Sequence, residues 1–97
     1  NNLMAIGTVQ AAISMGFRCP DDISIAGIDD FVWTTTMQPR LTTVVQPIEA
    51  MGESAVRCLV ERLDRPAAAG APPPPQHVVL PPRLLIRESC RRLDAAA

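Results

Sequence analysis

One stretch, Ile23 to Trp33, read ISIAGIDDFVW, limits this chain more than any other. Ile23, Ile25, Ala26 and Ile28 make a short apolar run, mostly β-branched, with one small polar break at Ser24. A run of that length is too short for a helix. It suits a parallel strand covered by helices on both faces. It closes on two acids, Asp29 and Asp30, followed by Phe31, Val32 and Trp33. In open α/β sheets the carboxyl ends of the strands line the ligand crevice. A carboxylate emerging there, with an aromatic close behind, reads as a polar anchor beside an apolar wall.

The surrounding sequence fits an α/β chain. Leu3 to Met15 carries Ile6, Val9 and Ile13 at helical spacing, with Asn1 or Asn2 to cap its start and Gly16 to end it. Pro20-Asp21-Asp22 then turns the chain into the strand, giving half of a βαβ repeat. Thr34 to Gln38 is polar and irregular, and Thr42-Thr43-Val44-Val45 is a second short β-branched segment. Pro47 opens another helix with Glu49 near its positive end. Its buried stripe is expected to be Ile48, Met51, Gly52, Ala55, Leu59 and Leu63, with something packed closely on Gly52. Glu53 with Arg57, and Arg57 with Glu61, are spaced for pairing on the solvated face. Arg65 to Gln76 is a Pro/Ala-rich loop, His77 to Leu80 and Arg83 to Ile86 are short extended pieces, and Cys90 to Ala97 is a frayed tail.

Composition removes several functions. Net charge is −1 and the nine basic residues, all arginine, are scattered, so the stretch carries no patch that would grip a phosphate backbone. No apolar run approaches the ~20 residues of a membrane span. Cys19, Cys58 and Cys90 lack metal-type spacing and read as reduced thiols of a cytoplasmic protein. His77 has no partner acid nearby in sequence and reads as structural. There is no nucleophile–base set, phosphate loop or ligand cluster, so neither catalysis, a metal nor a cofactor is expected. The chain opens on Asn1-Asn2, directly at a helix start, which points to a piece of a longer protein.

Five motifs occur in one order: NNLMAIG, then GFRCPDDISIAGIDD, then PRLTTVVQP, then MGESA, then VLPPRLLIRES. Together they resemble the C-terminal part of lactose-repressor-type (LacI/GalR) transcription regulators, over Asn1 to about Ser89. The resemblance implies a periplasmic-binding-protein-like α/β core: two doubly wound parallel-sheet subdomains joined by crossover strands, of which only the C-terminal portion is here. It implies that residues 1–40 belong to the C-terminal subdomain and 41–46 to a crossover strand. Residues 47–64 would be a helix of the N-terminal subdomain, 65–76 a loop, 77–89 returning strands and 90–97 a flexible tail. A helix-turn-helix that binds operator DNA would lie upstream, a small effector (a carbohydrate by the likeness) would sit in the cleft, and the protein would be a homodimer.

On that resemblance Asp29 takes the effector-contacting position, where a carboxylate accepts from sugar or ribose hydroxyls; otherwise it is a turn acid. Asp30 is expected to cap the following turn. Asn1 opens the family's N-D-x-x-A motif and contacts the effector or caps the helix; Asn2 stands where the family usually has Asp. Trp33 walls the sugar face or packs under the loop. The implied dimer interface takes in Ile6, Val9 or Gln10, Ile13, and Met37. A solute receptor of a sugar transport system shares the core and is the rival reading. The doubled acid, the LTTVVQP run and the LLIRES ending favour the regulator. Taken alone, the 97 residues should leave Ile23, Ile25, Leu59 and Leu63 without complete cover and fold poorly.

Overall fold

The computed structural model describes residues 1–66, 68 and 70–94. Its elements are α1 (Asn2–Ser14), β1 (Ala26–Ile28), α2 (Val32–Thr36), β2 (Thr42–Val45), α3 (Ile48–Leu63) and β3 (Arg83–Leu85). They fall into two compact units, Asn1–Gln46 with the chain from Pro82 onward, and Pro47–Pro81. Parts of the Pro/Ala-rich loop (Ala67, Ala69) and of the expected tail (residues 95–97) lie outside the described residues.

In the first unit α1 is closed at both ends by the residues that local chemistry selects. The Asn1 side chain accepts from the Met4 N–H at 3.0 Å. At the other end Gly16 takes a left-handed φ of 80°. Its N–H donates to Ile13 and that of Phe17 to Ala12, a Schellman stop that uses two otherwise orphaned carbonyls. The side of α1 that packs inward is made of small residues, Ala5 and Ala12, which join Ile25 and Leu41 in the core. Small residues let the helix sit close to the sheet. A Cβ on Gly27 of β1 would stand 3.3 Å from both the Ala5 Cβ and Leu41 Cδ2.

The sheet is mixed, in the order β1-β2-β3. β1 and β2 are parallel, pairing Ala26 with Thr42 and Ile28 with Val44, while β3 runs antiparallel to β2. The apolar run that announces β1 is longer than the strand: Ile23, Ser24 and Ile25 precede it. Ile25 is nevertheless buried, at 5% exposure, contrary to the expectation that it lacks cover. Ala5, Ala12 and Leu41 form the core cluster around it, and Ser89 fixes its backbone. The Ser89 carbonyl accepts from the Ile25 N–H at 3.0 Å. Its hydroxyl donates to the Ile25 carbonyl at 2.6 Å and accepts from the Thr42 N–H at 2.8 Å. One small, fully buried hydroxyl thus ties the entrances of β1 and β2 to the chain that follows β3.

Two expectations fail here for identifiable reasons. His77 to Leu80 forms no strand; Pro81 and Pro82 beside it lack N–H donors, and Val78 and Val79 are exposed. The polar stretch after the acids is a short helix, α2, rather than irregular chain. Its Thr35 and Thr36 hydroxyls each donate to the carbonyl three residues back.

In the second unit α3 begins at Pro47 with Glu49 in its first turn, and Glu53 pairs with Arg57 at 2.7 Å. None of its residues is buried. The expected stripe of Ile48, Met51, Leu59 and Leu63 is present but exposed, and nothing lies within 4 Å of the position a Cβ would take on Gly52. The close neighbour expected at Gly52 is therefore absent among the described residues. The return chain Pro73–Gln76 lines a groove with Cys58, Glu61 and Arg62, and the Cys58 thiol donates to Gln76 Oε1 at 3.3 Å.

Candidate functional site

Parallel pairing brings the carboxyl ends of β1 and β2 to the same end of the sheet, where an open α/β sheet binds its ligands. Asp29 follows the last paired residue of β1, and its N–H continues the ladder by donating to the Val44 carbonyl at 2.9 Å. It does so with a left-handed φ of 78°, alone in this among the described residues that are not glycine. The turn throws its side chain toward the end of β2, where the Gln46 amide donates to Asp29 Oδ1. Asp29 stays half-buried, so its carboxylate is held at the sheet end and still open to a further donor.

Asp30, the next residue, is enclosed. Arg87 grips it with two guanidinium N–H groups, Nη1 to Oδ1 at 2.7 Å and Nη2 to Oδ2 at 2.9 Å. The Thr34 and Thr43 hydroxyls donate to the same Oδ1 at 2.7 and 2.9 Å. Arg87 hydrogen bonding, helped by the two threonines against the opposing effect of burial, holds the Asp30 carboxyl well below the usual carboxylate range. The same partnership raises the Arg87 guanidinium. Asp30 therefore serves more than the local capping role expected from the sequence. It bonds Thr34 inside α2, yet its main partner lies 57 residues away.

Asn1 stands at the start of α1, and its oxygen is engaged in the helix cap. Ala5, one turn into α1, lies against Gly27 of β1. Trp33 is half-buried in α2 and packs against the core cluster. Its chain neighbours Phe31 and Val32 are the exposed apolar side chains after the acids, at 41% and 81%. Two residues central to this geometry escaped the sequence reading, Gln46 and Arg87. Both lie inside quoted motifs, LTTVVQP and LLIRES, but their partners become visible only once β1 is paired with β2 and β2 with β3.

The profile of the periplasmic binding protein-like domain family matches residues 1–90, nearly the whole chain, and the sheet-end geometry agrees with it. The chain belongs to that family. The regulator MalR of Streptomyces coelicolor, named as an HTH-type transcriptional regulator, is 38% identical over 89 residues, covering 92% of this chain and 24% of its own length. Among solved structures, the transcriptional regulator CelR–cellobiose complex superposes with a TM-score of 0.77 at 31% identity, covering 92% of this chain and 26% of that one. A LacI family transcriptional regulator from Arthrobacter sp. FB24 in complex with lactose gives 0.73 at 31% identity, over 94% of this chain and 33% of that one. The periplasmic-binding-protein-like chain thus spans about a quarter of the length of the curated relatives it matches.

The five residues expected at a dimer interface are not equivalent in this periplasmic binding protein-like domain. Gln10 and Ile13 are exposed, Ile13 at 66%. Ile6 is half-buried. Val9 and Met37 are half-buried against the chain's own core. Leu3 and Met4, on the same helix, are exposed as well. No group of three or more His, Cys, Asp or Glu among the described residues could hold a metal. No helix among them is long and apolar enough to cross a membrane.

Proposed function

We propose that this chain is the C-terminal part of the effector domain of a cytoplasmic, LacI/GalR-type transcription regulator, in which a sugar held at Asp29 controls DNA binding by a helix-turn-helix elsewhere in the protein. The observation that carries the reading is the half-buried Asp29 carboxylate at the shared carboxyl end of β1 and β2. An ionised carboxylate in that place accepts from vicinal hydroxyls, the donors a sugar offers in pairs. Gln46, already bonded to Asp29, can donate or accept beside it. Asn1 and Trp33 are the further contacts, Trp33 through the part of its ring that the core leaves uncovered. Ile6, Val9, Gln10, Ile13 and Met37 are assigned to the homodimer face, with exposed Gln10 and Ile13 at its centre. The relatives named above are regulators, and solved relatives hold cellobiose or lactose, which favours this reading over a transport receptor and over an enzyme.

Calorimetric titration of the complete protein with cellobiose, lactose, glucose, galactose and ribose tests the site. Asp29→Asn should weaken the responding sugar by ~1–3 kcal/mol, the scale of a lost hydrogen bond to a charged group. Unchanged affinity would remove Asp29 from the site.

A further inference from the structure

Asp29 is held in a backbone conformation that an aspartate adopts at a cost, and its side chain is positioned by a peptide unit whose other end is Asp30. What fixes Asp30 therefore fixes Asp29. We propose that Arg87 is the positioning residue of the effector site: by clamping Asp30 it sets the left-handed turn that aims the Asp29 carboxylate. This rests on the reading of Asp29 as the sugar contact.

The geometry supports the assignment at each link. Arg87 is itself immobilised on β2. Its backbone N–H donates to Thr42 Oγ1 at 2.9 Å, that hydroxyl donates back to the Arg87 carbonyl at 3.2 Å, and Nη1 donates to the Leu41 carbonyl at 2.8 Å. Its fork then holds both oxygens of Asp30. A bidentate guanidinium–carboxylate pair fixes orientation as well as distance, which a point charge does not. Thr34 and Thr43 supply the remaining donors, one from α2 after the acids and one from β2. The acid pair is thus pinned on one side by the Asp29 N–H in the strand ladder and on the other by the Asp30 carboxylate. Arg87 and Asp30 are poorly exposed, at 13% and 21% of their side chains, and their bonding capacity is spent on each other and on neighbouring chain. Neither is arranged to meet a ligand. Their role is exerted through Asp29.

A double-mutant cycle in the complete protein separates positioning from a general structural role. Sugar affinity is measured by calorimetry with cellobiose, lactose, glucose, galactose and ribose for wild type, Arg87→Met, Asp29→Asn and the double variant. Arg87→Met should weaken sugar binding by roughly tenfold or more, the scale seen when a group that orients a ligand is removed. In the Asp29→Asn background the same change should weaken it no further. Arg87→Lys, which keeps the charge and loses the fork, should fall between. Equal weakening in both backgrounds, or a folded Arg87→Met with wild-type affinity, would overturn the positioning role and leave the sugar site standing. If Arg87→Met does not fold, Arg87→Lys and Thr34→Val run the same cycle with the same two outcomes. An Asp29→Asn protein that binds sugar as wild type does, or a wild type that binds none of the five, overturns the site itself and the role of Arg87 with it.

Discussion

Asp29 and Asp30 are adjacent copies of one residue type in opposite circumstances. Left-handed backbone disfavours side chains bearing a Cβ by about 1–2 kcal/mol, although Asp tolerates it better than most residues. Asp29 carries that conformation. Asp30 carries the interactions that offset it, two bonds from Arg87 and one each from Thr34 and Thr43. Because Asp30 is held below its unfolded value of about 3.9, its ion pair contributes stability that is complete above that pH. The contribution is lost as pH falls from about 4 toward the folded value. Thermal unfolding of the complete protein should therefore show Asp30→Asn less stable than wild type at pH 7, with the gap narrowing below about pH 4. A gap that stays constant from pH 7 to pH 3 would contradict the ion pair.

Elements whose cause is local were legible in the sequence, and those set by partners were not. Asn1 caps α1 and Gly16 stops it through bonds within five residues, so both ends could be read directly. β2 was legible because Thr42 to Val45 is β-branched throughout. β1 is legible from its apolar run but shorter than that run: strand pairing begins at Ala26, opposite Thr42, and Ile25 is held by Ser89 instead. α2 looked irregular because its threonines are poor helix formers, and their back-bonds to carbonyls do not show in a hydropathy pattern. Asp29 was legible as a candidate from its place after an apolar run. Arg87 was not, because nothing local to LLIRES indicates a carboxylate 57 residues earlier. The contact of α1 with β1 can be tested directly. Gly27→Val would drive methyl groups into Ala5 and Leu41, already 3.3 Å from a single Cβ there. It should destabilise the protein by roughly 1–3 kcal/mol, as overpacking does, and an unchanged melting temperature would mean that α1 does not sit where described.

Each unit presents apolar surface that the described residues do not cover. Leu59 and Leu63 of α3 are 56% and 72% exposed, Ile23 is 41% exposed, and β1 pairs on one edge with β2 alone among the described strands. On the proposed reading, in which the chain is part of a larger regulator, such surfaces would meet the rest of that protein. On the same reading, a sugar bound at Asp29 governs DNA binding by that whole. Fluorescence anisotropy of a labelled promoter fragment from upstream of the gene, titrated with the complete protein with and without its sugar, tests this most directly. Binding should be salt-dependent, its affinity should shift about tenfold when the sugar is added, within the usual range of allosteric coupling, and Asp29→Asn should bind DNA but lose the shift. Sugar binding with no DNA binding at any sugar concentration would contradict the reading and leave the transport receptor in its place.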